Sequence, residues 1–261
     1  MSMTQSSLKV VSYNIQVGIA AESLFDNISN AWRHILPHQQ SLTTLSSISE
    51  LIKDFDVVAL QEIDTGSHRT CFVNQLTHIA DLAQFPYSTH HTTREIGNLT
   101  KHGKGMLSHY PLNNIAHIPL PSRIAGRGIS VAEIGTGDNT LCIVNVHLSL
   151  SMRAQLQQLE TIGQIISQYK TVIVMGDFNM RVAALKRSGF LQQYSLRIVN
   201  DTIKTYPSWQ PSRLIDYLLV SDDIRVKSMH TIETNLSDHL PVAAELIIPS
   251  AIDIHGLAKS A

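Results

Sequence analysis

The chain contains 261 residues, of which 43% are hydrophobic and 16% are charged. This balance excludes a disordered or fibrous protein and provides enough apolar material for a core. Lysine and arginine number 20 against 21 acidic residues, and no run of five basic residues occurs, which argues against broad electrostatic binding to nucleic acid or anionic lipid. We expect one domain over residues 1–261, with frayed tails at about 1–6 and 250–261.

The first residues, MSMTQSS, contain neither the basic nor the apolar segment of a secretory leader, and no stretch approaches the roughly 18 apolar residues of a membrane span. We therefore expect a cytoplasmic protein without a transmembrane segment, with export by a route that reads no N-terminal signal left open. The two cysteines, Cys71 and Cys142, are too few for a disulfide framework and lack metal-ligand spacing. We interpret both as packing residues.

Short apolar runs rich in β-branched residues predict buried strands along the whole chain, at 8–15, 56–60, 128–134, 141–146, 171–175, 214–220 and 242–248. Between them, apolar residues at helical spacing predict helices over 42–52 and 156–166. Strands that alternate with helices indicate an α/β or layered α+β fold. Three polar segments without periodicity, 17–40, 90–104 and 201–213, are predicted loops and candidates for substrate contact.

Acid, amide and imidazole side chains stand at the ends of these strands, where apolar packing would be expected. The set comprises Asn14, Glu62, Asn145, His147, Asp177, Asn179, Asp216, Asp238 and His239. Any single member is explained as a strand-end cap or a turn residue. A buried carboxylate is unfavourable unless it is paired, hydrogen-bonded or bound to a metal, so the whole set needs another explanation. Glu62, Asp177 and Asp238 suit a hard divalent cation, and the scarcity of cysteine argues against structural zinc.

Eight segments, in this order along the chain, resemble motifs of the endonuclease/exonuclease/phosphatase superfamily, which has the DNase I-like fold. They are SYNI (12–15), LQEID (60–64), GKGMLSHYPL (103–112), RGISVAEI (127–134), VNVHLS (144–149), GDFN (176–179), RLIDYLLVS (213–221) and SDHLPV (237–242). The chain is similar to a small bacterial-type member over nearly its whole length. This resemblance implies a four-layer α/β (α+β) sandwich of two packed mixed β-sheets flanked by helices, with the active site where strand ends meet at one rim.

The resemblance also implies metal-assisted attack of water on a phosphoester, with Mg²⁺ as the cofactor and Mn²⁺ as a possible substitute. In this reading Glu62 binds the metal, and Asn14 and Asp238 complete its surroundings. A second metal at Asp177 and Asn179 stays open.

The resemblance assigns catalytic roles to the remaining residues of the set. Asp177 would orient or deprotonate the attacking water, and Asn179 would hold a phosphate oxygen. His239, held by Asp216, would face the phosphate. His147 would contact the phosphate or protonate the leaving oxygen. These roles agree with the chemistry, because phosphoryl transfer needs a positioned nucleophile and neutralised oxygens.

Substrate contacts are also expected outside this set. Trp209 lies in a loop before Arg213, where its ring would stack on a base, pack on a lipid chain or cover the core. Arg33 and Arg127 are candidate phosphate contacts, although surface packing explains Arg33 equally well.

The leading hypothesis is a Mg²⁺-dependent phosphoester hydrolase, most simply a phosphodiesterase acting on a small molecule, a lipid headgroup or nucleic acid. A DNA or RNA nuclease is the close alternative, although no basic, aromatic-interleaved stripe is visible. A non-catalytic phosphate-binding scaffold is the alternative from another class, and it predicts that at least one catalytic group is missing. No obligate protein partner is evident from the sequence.

Overall fold

The computed structural model describes residues 6–19, 40–122, 126–252 and 254. Its strands form two six-stranded sheets. The first sheet has the spatial order β11 (Arg225–Thr231), β12 (Val242–Ile248), β1 (Ser6–Asn14), β2 (Val57–Asp64), β4 (Thr100–Ser108) and β3 (Tyr87–Ile96). The second sheet has the order β5 (Asn113–Pro119), β6 (Gly128–Thr136), β7 (Asn139–His147), β8 (Thr171–Asp177), β10 (Asp216–Ser221) and β9 (Leu196–Ile198). Both sheets are mixed, because β1 pairs with β2 and β7 with β8 in parallel, whereas the other neighbours are antiparallel.

Helices cover the outer face of each sheet. On the first sheet lie α1 (Gln40–Ile52) and α2 (Gln75–Ala83), whose apolar faces share a core cluster with β1 and β2. On the second sheet lie α3 (Met152–Ile166), α4 (Val182–Arg187) and α5 (Phe190–Gln193). Two 3₁₀ turns, Gln16–Gly18 and His68–Thr70, follow β1 and β2. No helix within the described ranges is both long and apolar enough to span a membrane.

A third apolar cluster fills the space between the two sheets. It contains Leu8 and Val10 from the first sheet and Ile143, Ile173 and Leu218 from the second, all fully buried. Helices, sheet, sheet and helices therefore form the predicted four-layer sandwich, with the central core between the sheets.

Alternation along the strands places the polar residues on this same inner face. In β7, Leu141 and Ile143 belong to the inter-sheet core, and Asn145 follows at the next position of the same parity. In β8, Met175 is followed in the same way by Asp177. The inner faces are therefore apolar along most of their length and become polar at one end, which is where the site forms.

The prediction of a loop over residues 90–104 is wrong. Most of it belongs to the antiparallel hairpin of β3 and β4, which pair from Tyr87 with Ser108 to Ile96 with Thr100. Because β3 lies at the edge of its sheet and is mostly exposed, its side chains are polar on both faces and carry no period of two. Helix α2 was not predicted from the sequence either, although the Asn74 side chain caps it by accepting hydrogen bonds from two backbone amides.

The segment 201–213, the C-terminal tail and the two cysteines can also be compared with the predictions. The segment 201–213 contains no helix or extended strand, as predicted, apart from a single bridge between Tyr206 and Arg213. The frayed tail expected from residue 250 does not hold for Ile252 and Ile254, which are buried in the inter-sheet core. Of the two cysteines, Cys142 is buried as expected, but Cys71 is exposed.

Candidate active site

Asp177 occupies the centre of the polar rim, where it is 2% exposed. Asn14 Nδ2, from the first sheet, donates to Asp177 Oδ2 over 3.3 Å. Asn179 donates to the same carboxylate through Nδ2, 3.1 Å from Oδ2, and through its backbone N–H, 2.8 Å from Oδ1. The backbone bond closes an Asx turn, so the GDFN segment combines a strand-to-loop turn with a converging acid and amide. The two sheets meet at this carboxylate.

His147 lies between two carboxylates. Its Nε2 atom is 3.5 Å from Asp177 Oδ2 and 3.7 Å from Glu62 Oε1. Burial, followed by the positive charges of Arg127 and Lys104, holds the pKa of His147 well below its ordinary range. The imidazole is therefore neutral near pH 7. Of the two roles expected for His147, this favours hydrogen bonding to a phosphate oxygen over proton donation.

Glu62 reaches the site because β2 is irregular at this position. The pairing of β2 with β4 shifts register between Gln61 and Ile63, and Glu62 adopts a left-handed φ of 54°. This conformation is unfavourable for a residue with a side chain and is maintained by its surroundings. Asp64, two residues on, supplies support by accepting hydrogen bonds from Ser67 and pairing with the buried Arg69.

His239 and Asp216 form a buried pair beside Asp177. His239 Nδ1 lies 3.0 Å and 2.9 Å from the two carboxylate oxygens of Asp216, which also accepts a hydrogen bond from Thr205. Burial opposes the charged imidazolium, but Asp216 and then Asp177 and Asp238 outweigh burial and raise the pKa of His239 to about 10. His239 is therefore cationic near pH 7. Its Nε2–H points away from Asp216, which binds Nδ1.

The acids of the rim repel one another in the metal-free protein. Burial and then Asp216 raise the pKa of Asp177 to about 7, although His239 acts in the opposite direction. Burial and, more weakly, Glu62 raise the pKa of Asp238 to about 6, again against His239. Carboxylate oxygens and an adjacent amide oxygen are the donor set that a hard divalent cation prefers. The residues present therefore fit Mg²⁺ or Mn²⁺.

A second grouping overlaps this donor set. Single ligand atoms of Asp177, Asp216 and His239 lie within 4.8 Å of one another, which is compatible with a metal ion. This group of three residues differs from the predicted metal ligands, which are Glu62, Asp238 and Asn14. Because both oxygens of Asp216 bond to His239 Nδ1, we interpret Asp216 and His239 as a hydrogen-bonded pair and Asp177 as the member available to a cation.

Two cations near the site complete its electrostatics. Arg127, a predicted phosphate contact, precedes Gly128, which lies opposite His147 in the β6–β7 ladder, and it interacts with the charges of Glu62 and Asp177. Lys104 was not predicted. It is 2% exposed, extends from β4 of the first sheet and donates to the carbonyl oxygen of Gly128 in the second sheet. Burial, then Arg127, lowers the pKa of Lys104 to about 7. The sequence feature that could have indicated Lys104 is its position between Gly103 and Gly105 in a predicted family motif.

The loop 205–213 contacts two residues of the site. Ser208 N–H donates to the carbonyl oxygen of Asp238 over 2.8 Å, and the ring of Tyr206 contacts His239 at 4.9 Å between centroids. Tyr206, rather than Trp209, is thus the aromatic residue seen against a predicted catalytic side chain, while Trp209 is half-buried in the same loop. Arg33 lies outside the described residues.

A buried polar layer supports the rim from below. Gln61 Nε2, from the first sheet, donates to Asn145 Oδ1 of the second over 2.8 Å. Asn145 Nδ2 in turn donates to the carbonyl oxygens of Leu60 and Gly105 over 3.0 and 2.9 Å. These bonds link the two sheets next to the predicted catalytic residues. Contacts among the predicted site residues that the structure describes form two neighbouring groups. The first group contains Asn14, Glu62, His147, Asp177 and Asn179. The second group contains Asp216, Asp238 and His239.

A sandwich of two mixed sheets, with acids, amides and imidazoles converging at one rim, defines the class of DNase I-like phosphoester hydrolase folds. The chain belongs to the endonuclease/exonuclease/phosphatase family, whose sequence model matches residues 11–239. Members of this family are generally metal-dependent phosphoester hydrolases. A search of curated proteins found no matching sequence.

Solved structures share the fold at low sequence identity. An endonuclease/exonuclease/phosphatase from Beutenbergia cavernae DSM 12333 has a TM-score of 0.73 and 18% identity, over 93% of this chain and 72% of that one. A humanized TDP2 of D. rerio has a TM-score of 0.67 and 18% identity, over 92% and 98%. The mannosyl-6-phosphatase Bt3783 of Bacteroides thetaiotaomicron VPI-5482 has a TM-score of 0.66 and 16% identity, over 92% and 100%. These similarities establish the fold.

Proposed function

We propose that the protein is a Mg²⁺-dependent phosphoester hydrolase and that its preferred reaction is hydrolysis of a phosphodiester. The observation that carries this proposal is the contact of Asp177 with Asn14 and His147 beside the pair of His239 and Asp216. It brings a carboxylate base, a neutral imidazole and a cationic imidazole to one rim of the sandwich. Hydrolysis of a phosphoester requires a proton acceptor for water and donors for the phosphate oxygens, and this arrangement supplies both.

Asp177 is the residue suited to activate water. The amides of Asn14 and Asn179 fix the orientation of its carboxylate. A buried carboxylate whose orientation is fixed in this way is placed to accept a proton from water. Asp177 would therefore hold the attacking water and take its proton.

His239 and His147 would bind the phosphate in different charge states. Because Asp216 holds Nδ1 of His239, the cationic ring offers Nε2–H to an oxygen that gains charge in the reaction. Neutral His147 contributes an uncharged donor. Arg127 would bind the remaining phosphate oxygens through its planar guanidinium. Asn179 would reach a phosphate oxygen by exchanging one of its bonds to Asp177 and to the carbonyl oxygen of Leu148.

Glu62, Asp238 and Asn14 would hold Mg²⁺ at the rim, with Asp177 within reach of the same ion. When bound, the ion neutralises charge on the phosphate oxygens. A cation among Glu62, Asp177 and Asp238 would relieve the mutual repulsion that helps to raise the pKa values of Asp177 and Asp238.

Hydrolysis of bis-p-nitrophenyl phosphate, compared with p-nitrophenyl phosphate, tests this proposal. We expect faster turnover of the diester with Mg²⁺ or Mn²⁺, and none with EDTA. Asp177→Ala and His239→Ala should abolish turnover while far-UV circular dichroism and thermal unfolding stay those of a folded protein. Asp81→Ala, on the exposed face of α2, is the matched control. Normal activity in either catalytic variant refutes the assignment.

The same assay separates the alternatives. Preference for the monoester would indicate a phosphatase, the activity named for the Bt3783 structure. Nicking of supercoiled plasmid that weakens steeply with salt would indicate a nuclease, because phosphate-backbone contacts make binding salt-dependent. The near-neutral charge of the chain favours a small or lipid-derived phosphoester over long nucleic acid. No turnover on any phosphoester would indicate a phosphate-binding scaffold, although the catalytic groups are all present.

A further inference from the structure

A cavity of about 660 Å³ adjoins the catalytic rim on the side of the second sheet. It lies where β7 leads through residues 148–151 into α3, and its lining includes Arg127, Leu150, Ser151 and Arg153. Among the predicted site residues that the structure describes, Arg127 alone also lines this cavity. The cavity is therefore a neighbouring compartment of the catalytic centre, with Arg127 in the shared wall.

Arg127 has unused hydrogen-bonding capacity. Burial, as the largest effect, lowers the pKa of its guanidinium, while Glu62 and Asp177 act in the opposite direction. Its guanidinium makes no hydrogen bond or close ion pair with any residue in the ranges 6–19, 40–122 and 126–252. Five N–H donors in a fixed plane are therefore available to an anion that enters from the rim or from the cavity.

Arg153 brings a second cation to the same cavity. It lies in the first turn of α3, is exposed, and makes no close ion pair with an acid in the described part of the chain. The cavity lining contains two arginines and, among the described residues, no aspartate or glutamate. The compartment is locally cationic although the whole chain carries a net charge of −1. A single phosphate that already meets Arg127 and cationic His239 does not require Arg153.

The rest of the lining suits the organic part of a substrate. Ser151 accepts a hydrogen bond from the backbone N–H of Ala154, so its hydroxyl hydrogen remains available to a ligand. Leu150, which is 76% exposed, and Ala154 also line the cavity, so part of its wall is apolar. A sugar or cyclitol ring that joins two phosphates would pack there.

We propose that this cavity is a second phosphate subsite, which selects phosphoesters whose alcohol carries a further phosphate group. This subsite rests on the proposed function, because the reacting phosphate is assigned to the rim and the further phosphate to Arg153 and Ser151. Arg127 lies between the two positions. Both a nucleoside bisphosphate ester and a phosphorylated inositol ester have this chemistry.

Two matched ligand pairs test the subsite by binding. The first is thymidine 5′-(p-nitrophenyl phosphate) with and without a 3′-phosphate, and the second is glycerophosphoinositol with and without a 4-phosphate. Titration calorimetry uses the full chain carrying Asp177→Asn, with Mg²⁺, so that no ligand is consumed. We expect about tenfold tighter binding of the bisphosphorylated member in at least one pair, the effect of one charge-assisted hydrogen-bonded contact. The pair that shows the preference identifies the nucleotide or the inositol as the source.

Adding Arg153→Gln should reduce that preference to less than about twofold, with unchanged thermal unfolding. Arg187→Gln, on the exposed last turn of α4, is the control and should keep it. Equal affinity within both pairs, or a preference that survives Arg153→Gln, overturns the subsite. Turnover by the wild-type chain is read separately: hydrolysis of none of the four esters contradicts the proposed function, while the binding result still decides the subsite.

Discussion

The two carboxylate oxygens of Asp216 lie 3.0 and 2.9 Å from Nδ1 of His239, and both side chains are almost fully buried. The two residues are 23 positions apart in the sequence and come from β10 and from the loop before β12. Asp216 in turn stands opposite Asp177 in the β8–β10 ladder. The carboxylate that fixes the charge of His239 is thus directly linked to the strand that carries the proposed base.

Replacement of Asp216 by asparagine should lower kcat by about 10²-fold or more, within the range that general acid–base groups contribute. In the wild-type protein His239 keeps its proton up to a pKa of about 10. Without the carboxylate, its pKa should fall towards that of an ordinary imidazole, so the alkaline limb of the pH–rate profile should move to lower pH. Imidazole NMR shifts measure this pKa directly. An alkaline limb that does not move would contradict the role of Asp216. Asp222→Asn, exposed after β10, is the control.

Asp177 should make the metal-free protein less stable as the pH rises from 5 to 7, measured as the change in the Tm difference between the wild-type chain and Asp177→Asn. The folded-state pKa of Asp177, about 7, lies above its ordinary value of 3.8, so the folded protein holds a proton that the unfolded chain has lost in this window. His239 adds to this trend, because its stabilising charge is fully present below pH 6.5 and is lost as pH rises towards 10.

Mg²⁺ should reverse part of that loss. Because the ion competes with protons on Asp177 and Asp238, the increase in Tm that it causes should be small at pH 5 and larger at pH 8. Differential scanning fluorimetry with Mg²⁺ or EDTA at each pH measures both effects. An equal Mg²⁺ effect at pH 5 and pH 8 would show that these carboxylates do not bind the ion.

Substitution of Lys104 by methionine should leave the fold intact and raise the pKa of His147. Lys104 is one of the groups that lower this pKa, after burial and Arg127. Imidazole NMR shifts measure the pKa of His147 in the metal-free protein. Lys170→Met, exposed before β8, should leave that pKa unchanged. A pKa of His147 that is the same in the Lys104 variant and in the wild-type chain would separate this lysine from the site.

The polar layer beneath the rim predicts a stability effect. Asn145→Ala removes the donor to two buried carbonyl oxygens and the acceptor of Gln61, and leaving such groups unpaired costs about 1–3 kcal/mol for each. We expect a lower midpoint of urea denaturation with an unchanged slope. Asn139→Ala, exposed at the start of β7, should change the midpoint little. A similar midpoint for both variants would show that the layer does not stabilise the contact between the sheets.

Strand positions that face the core on both sides were predictable from the sequence, since runs such as 141–144 and 172–175 are continuously apolar. The hairpin of β3 and β4 was not, because an edge strand exposed on both faces has no apolar period. Lys104 and Tyr206 were not assigned as site residues for a different reason: a lysine in a strand and a tyrosine in a loop are ordinary surface residues until their neighbours are known.

By itself the sequence determined which side chains could do chemistry, because acids, amides and imidazoles interrupt apolar strands at their ends, and it determined the family through the order of its motifs. The tertiary structure decided the charge states of these groups. Charge state depends on burial and on neighbours that are distant along the chain, so the cationic His239, the neutral His147 and the raised pKa of Asp177 exist only when the two sheets pack. The cavity beside Arg127 likewise has no sequence signature, since its walls come from separate segments.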